Sequence, residues 1–113
     1  SSGTIALYNL YFRFITRMQN LSFCYFDEFD AFFHYELSER FVRFFQQEFS
    51  NCQVIFTTHN TNLMSNDLMR PDCLFILSSD GRLTPLNEAT TRELREGHNL
   101  EKMYISGEFE SYE

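Results

Sequence analysis

Phe23-Cys24-Tyr25-Phe26-Asp27-Glu28 is the stretch on which the fold turns. Leu21 to Phe26 is a short apolar run rich in aromatics, the pattern of a buried strand. It stops abruptly at two adjacent carboxylates. Further on, Cys52 to Thr57 repeats the pattern with Val54-Ile55-Phe56 at its centre, and it runs out into Thr58-His59-Asn60. Between the two runs, residues 36–49 carry helical spacing. Leu37, Phe41, Phe44, Phe45 and Phe49 fall on one face, while Glu36/Arg40 and Glu39/Arg43 form i,i+4 pairs in the favourable order. Ser50-Asn51 closes that helix. Strand, helix, strand predicts a parallel pair and the α/β class.

Outward from this unit the signals continue. Residues 5–20 read as a helix with one polar stripe of Asn9, Arg13, Thr16, Arg17 and Asn20. Its remaining surface is apolar, so it is expected to be buried on most sides. Thr58 to Asn62 reads as a polar turn and Asn62 to Met69 as a short helix broken by Arg70-Pro71-Asp72. Cys73 to Leu77 is a third apolar strand. Ser79-Asp80-Gly81 marks a tight turn from which Arg82 to Leu86 returns as a hairpin partner. Residues 88–96 have the composition of a polar helix, and the tail after Gly97 receives no element. The expected architecture is therefore parallel strands alternating with helices, plus a terminal β-hairpin.

Bulk composition narrows the function classes. In 113 residues there is room for one core, yet 14 residues are Phe and none is Trp. That is more aromatic surface than a lone domain of this size readily covers. The net charge of -7 argues against a general nucleic-acid-binding face on these residues. Cys24, Cys52 and Cys73 are an odd number with no paired spacing, which points to a reducing cytoplasm rather than a disulfide scaffold. No CxxC or HxxxH spacing suggests structural zinc. No apolar run reaches the length of a membrane span, and no signal-peptide pattern opens the chain.

The chemistry-bearing residues gather at strand ends. A buried parallel strand that ends in Asp27-Glu28 sets both acids at the carboxyl edge of the sheet, where open α/β sheets bind ligands. Neighbouring acids there suit a hydrated Mg²⁺ and a general base for water, though a solvated acidic turn has the same composition. If the second strand pairs with the first, His59 arrives at the same edge, where an imidazole can meet a phosphate oxygen or orient water. A His that merely precedes a helix, with Asn60 or Thr61 as its cap, would look alike. Ser1-Ser2-Gly3-Thr4 precedes the first helix and offers backbone N–H groups to an anion. The same residues are also a common cloning remnant.

In their order and spacing, these segments resemble the ABC-type ATPase module. In that family a Ser-Gly signature opens a helix, a strand brings the Walker B aspartate and catalytic glutamate, a D-loop and helix follow, and the next strand ends in a switch histidine. Here these are Ser1-Ser2-Gly3-Thr4, Phe23 to Glu28, Phe29 to Leu37, and Thr57-Thr58-His59-Asn60. The hairpin sequence from Cys73 to Leu83 is similar too. Within the superfamily, the chain looks like soluble AAA/ABC-hybrid ATPases of prokaryotic defence, related to abortive-infection and overcoming-lysogenization-defect ATPases. Asp27-Glu28-Phe29-Asp30 lacks the Pro that transporter ATPases carry after the Glu. Phe33-His34, Thr58 to Leu63, and the tail from Asn99 to Gly107 resemble the soluble branch.

The resemblance implies ATP and Mg²⁺ as cofactors. Asp27 would hold the metal, Glu28 would polarise the attacking water, and His59 would contact the γ-phosphate. Ser1, Ser2 and Gly3 would close over ATP bound to a second copy, with Asp30 at the same homodimer seam. An effector or nuclease partner would fit a defence role. One departure is large: no GxxxxGK[ST] phosphate cradle occurs among the four Gly residues. The expectation is a C-terminal fragment, residues 1–113 of an ABC-type ATPase domain whose Walker A lobe lies upstream, and a piece that alone does not hydrolyse ATP. Two rivals stand beside this: a Mg²⁺-dependent nuclease built on Asp27, Glu28 and Asp30, and a non-catalytic interaction module that uses the apolar helix 5–20.

Overall fold

The computed structural model describes residues 20–31, 33–95 and 99–113, together with Ile5, Asn9, Leu10 and Arg13. Those last four are helical; the rest of the helix expected over 5–20 lies outside the described residues. The chain divides into two compact units, residues 1–60 and 61–113.

In the first unit, strand β1 (Phe23–Phe26) and strand β2 (Gln53–Phe56) pair in parallel, with Phe23 opposite Gln53 and Phe26 opposite Phe56. Helix α1 (Tyr35–Glu48) connects them. Alternation along each strand turns Cys24, Phe26, Val54 and Phe56 towards α1, which answers with Phe41 and Phe45. Ser38, Phe41, Val42 and Phe45 are the buried positions of the helix, at i, i+3, i+4 and i+7. Phe41 and Phe45 are 2% and 1% exposed. The stripe holds a small residue, Ser38, where the helix starts, and its hydroxyl donates to the His34 carbonyl at 3.1 Å.

The surplus of Phe builds this core. Phe26 stacks on Phe56 at 5.5 Å between ring centroids and meets Phe41 and Phe45 edge-on at 5.3 and 5.1 Å. Phe29 stacks on Phe41 at 5.6 Å. Each such pair adds roughly 0.5–1.5 kcal/mol beyond its buried area. The strands are not buried on both faces, however. Phe23, Tyr25 and Ile55 point away from α1 and are exposed. Of the two expected helix-surface ion pairs, Glu39–Arg43 forms at 2.9 Å. Glu36 and Arg40 make no salt bridge among the described residues. Cys24 lies on β1, and burial, with Cys52 nearby, pushes its thiol above the ordinary value. That suits a packed, unreactive side chain.

The second unit corrects the expected sheet. Strand β3 (Phe75–Leu77) does not extend the parallel pair. It pairs antiparallel with β4 (Leu83–Pro85) in a separate two-stranded sheet, Ile76 opposite Thr84. The turn is the expected one: Gly81 takes φ +87, and the Ser78 hydroxyl donates to Asp80 and accepts from the Arg82 N–H at 2.9 Å. The helix expected over 62–69 is instead a 3-10 turn at Thr61–Leu63 followed by turns. There the Ser65 hydroxyl accepts from the Asp67 N–H, a local bond that competes with helix. The polar helix expected over 88–96 is likewise absent through Arg95, where the Thr90 hydroxyl accepts from the Arg92 N–H; Glu96 lies outside the described residues.

The tail does contain a helix, α2 (Leu100–Ile105). Asn99 caps its start by accepting from the Lys102 N–H at 2.9 Å. Gly107, at φ +90, ends it: the Gly107 N–H bonds the Tyr104 carbonyl and the Glu108 N–H bonds that of Met103, a Schellman closure. Leu100 and Met103 join Ile76, Leu86, Ala89 and Phe109 in the core of this unit.

Candidate functional site

Parallel pairing in this register brings the two strand exits side by side. The ladder continues one step past β2, where the Thr57 N–H donates to the Phe26 carbonyl at 2.9 Å. The chain after β1 then turns. The Ala31 N–H bonds the Glu28 carbonyl at 3.1 Å, and Glu28 sits at φ 45, a left-handed conformation unusual for a residue with a side chain. The turn swings Glu28 across to the opposite loop.

Four side-chain bonds then join segment 27–30 to segment 57–59. The Thr57 hydroxyl donates to Asp27 Oδ1 at 2.7 Å and accepts from the Glu28 N–H at 2.7 Å. The Thr58 hydroxyl donates to Asp30 Oδ2 at 2.7 Å. His59 Nε2 lies 3.2 Å from Glu28 Oε1. Tyr25 reaches Asp27 Oδ1 only at 3.5 Å. The Thr58 hydroxyl also accepts from the Asn60 N–H, which braces the loop that carries His59.

The site is open to solvent. The side chains of His59 and Glu28 are 91% and 60% exposed, so their contact contributes little to stability and can part at low cost. The fixed elements are the hydroxyl bonds to Asp27 and Asp30. Asp27 keeps one carboxylate oxygen, Oδ2, with no hydrogen bond among the described residues. One free oxygen of this kind fits Mg²⁺, which retains waters and takes its other ligands from phosphate oxygens. No group of three His, Cys, Asp or Glu able to hold a metal occurs among the described residues.

Asp27, Glu28, Asp30 and His59 therefore meet at one edge. Ser1, Ser2 and Gly3 lie outside the described residues. Thr57 and Thr58 are the partners that motif reading passes over; the signal for them was the register itself, which sets residue 57 beside residue 27. No helix among the described residues is long and apolar enough to cross a membrane. Residues 1–65 match the family described as "AAA domain, putative AbiEii toxin, Type IV TA system". Comparison with curated proteins and with solved structures returns no match.

Proposed function

The chain belongs to that AAA-domain family of P-loop ATPases, and on this premise we propose that its carboxylate edge serves Mg²⁺-dependent ATP hydrolysis in an ABC-type, dimerising ATPase of prokaryotic defence. The observation that carries the reading is the parallel register of β1 and β2, which sets Asp27, Glu28 and His59 at one sheet edge. Asp27 would hold Mg²⁺ through its free oxygen. When bound, the metal neutralises charge on the phosphoryl group in transfer. Glu28 is the general base: its exposed carboxylate can accept a proton from water once His59 leaves it. His59 would exchange that carboxylate for a phosphate oxygen, so its position reports whether nucleotide is present.

The remaining elements come from two directions. Ser1, Ser2 and Gly3 would close over the nucleotide of a second copy, with Asp30, anchored by Thr58, at the same seam. On this reading a GxxxxGK[ST] cradle would be supplied by a further segment, since none of the four Gly lies in such a motif. In-line phosphoryl transfer depends on positioning and charge stabilisation, which suits a site assembled from separate pieces.

Phosphate release from Mg²⁺-ATP tests this. The 113 residues alone should show no turnover above background. A polypeptide that also carries the cradle should hydrolyse ATP, and Glu28→Gln should lower kcat by about 10²–10⁴-fold. Undiminished turnover in that variant would overturn the reading.

A further inference from the structure

Thr57 bonds each of the four residues from Phe26 to Phe29. Its N–H donates to the Phe26 carbonyl at 2.9 Å and its carbonyl accepts from the Phe29 N–H at 3.3 Å. Its hydroxyl donates to Asp27 Oδ1 and accepts from the Glu28 N–H, both at 2.7 Å. The two backbone bonds need no particular side chain. The two hydroxyl bonds do.

Their polarity is fixed by elementary chemistry. An amide N–H can only donate, and an ionised carboxylate can only accept. The hydroxyl hydrogen must therefore point at Asp27, and a hydroxyl lone pair must face Glu28. No other small side-chain group supplies both at one atom. One consequence falls on Asp27: the hydroxyl holds Oδ1, and Oδ2 is the oxygen left with no hydrogen bond among the described residues. A second falls on Glu28, whose left-handed backbone at φ 45 is sterically disfavoured for an L-residue. The hydroxyl pins the amide of that strained residue and so fixes where its carboxylate starts.

We propose that Thr57 is the positioning residue of the site: a single hydroxyl that holds Asp27 through Oδ1, leaving Oδ2 for a ligand, and locks the Glu28 backbone in the turn that aims its carboxylate. This rests on the ATPase reading for its catalytic half; the clamp itself is a property of the chain. Thr57 does not meet substrate in this role. It acts through the two acids.

Thr57→Val keeps the shape and removes the hydroxyl, while Thr57→Ser keeps the hydroxyl. Amide hydrogen exchange, with no nucleotide or metal added, reads the clamp. In Thr57→Val the Glu28 amide should exchange about tenfold faster, while the residue-57 and Phe29 amides, held by backbone bonds, keep their protection. Thr57→Ser should leave all three as in the parent. Loss of protection at all three amides in the Val variant would instead mark general unfolding and overturn the specific clamp, as would an unchanged Glu28 amide.

Turnover in the polypeptide that carries the phosphate cradle reads the catalytic half. Thr57→Val should lower kcat by roughly 10–100-fold and raise the Mg²⁺ concentration for half-maximal rate, the effect expected of an outer-shell partner. Thr57→Ser should restore both to within about threefold. Full turnover in Thr57→Val beside a dead Glu28→Gln overturns the role of Thr57 and leaves the ATPase reading standing. Full turnover in Glu28→Gln overturns the ATPase reading itself.

Discussion

The two units hold their polar side chains in opposite ways. In residues 1–60 the decisive hydrogen bonds join positions far apart in sequence: Thr57 with Asp27 and Glu28, Thr58 with Asp30, and His59 with Glu28. They exist only because the strands are packed in register over an aromatic core. In residues 61–113 many of the bonds are local. The Ser78–Asp80–Arg82 turn, the Asn99 cap and the Gly107 closure each span a few residues. Longer ties, such as Thr61 to Glu101 and Thr90 to Glu108, supplement that framework. The contrast teaches that the candidate site depends on distant packing, whereas the second unit is built largely from signals that each segment carries for itself.

The largest break in this comparison comes from the aromatic core. Phe41 contacts Phe26, Phe29, Phe45 and Phe56 at once. Phe41→Ala should cost about 3–5 kcal/mol, read as a lowered denaturant midpoint. Protection of the Thr57 amide, which depends on strand register, should fall with it. A smaller loss tests the local side. Asn99→Ala removes the cap of α2 and should cost about 1 kcal/mol, with faster exchange confined to the first turn of that helix. Exchange changes of equal size near Thr57 would dissolve the distinction.

The smallest effect concerns acid. The Ser78 hydroxyl, and after it the Arg82 guanidinium, hold the Asp80 carboxyl below its ordinary value. A lowered pKa in the folded state favours folding above the unfolded value of about 4. That contribution is lost as the pH falls below this value and through the lowered folded one. Asp80→Asn should therefore melt slightly below the parent at pH 7, and the gap should close in acid below the carboxylate range. A gap that persists there would show that the turn owes nothing to the charge.

Much of the first unit was legible because its signals are strong and redundant. The apolar runs, the helical spacing of Phe41 and Phe45, and the acids at the strand end each pointed to the same arrangement. The exposed face of Phe23, Tyr25 and Ile55 was not legible, since an apolar run looks alike whether one side is covered or both. The third strand and its hairpin partner were legible in the apolar run and the Ser79-Asp80-Gly81 turn; that Phe75 to Leu77 stays out of the parallel pair was not, because its apolar residues would suit either sheet. Helices expected at 62–69 and 88–96 gave way to Ser65 and Thr90, whose hydroxyls bond nearby amides. Helix α2 was missed: six residues are too few to show a helical period, and its signals lie at its ends, in the Asn99 cap and Gly107. Thr57 was visible only as a hydroxyl at a strand end. Its four bonds are a product of register.

Glu28 at φ 45 also bears on how such a site tolerates change. The backbone there would rather be Gly or Asn, which enter the left-handed region readily. Either would relieve the turn, and either would withdraw the long carboxylate arm. Stability and chemistry thus pull this position in opposite directions. Drift or design that optimises the fold alone would erase the acid first, so a glutamate here marks a trade in favour of what the edge does.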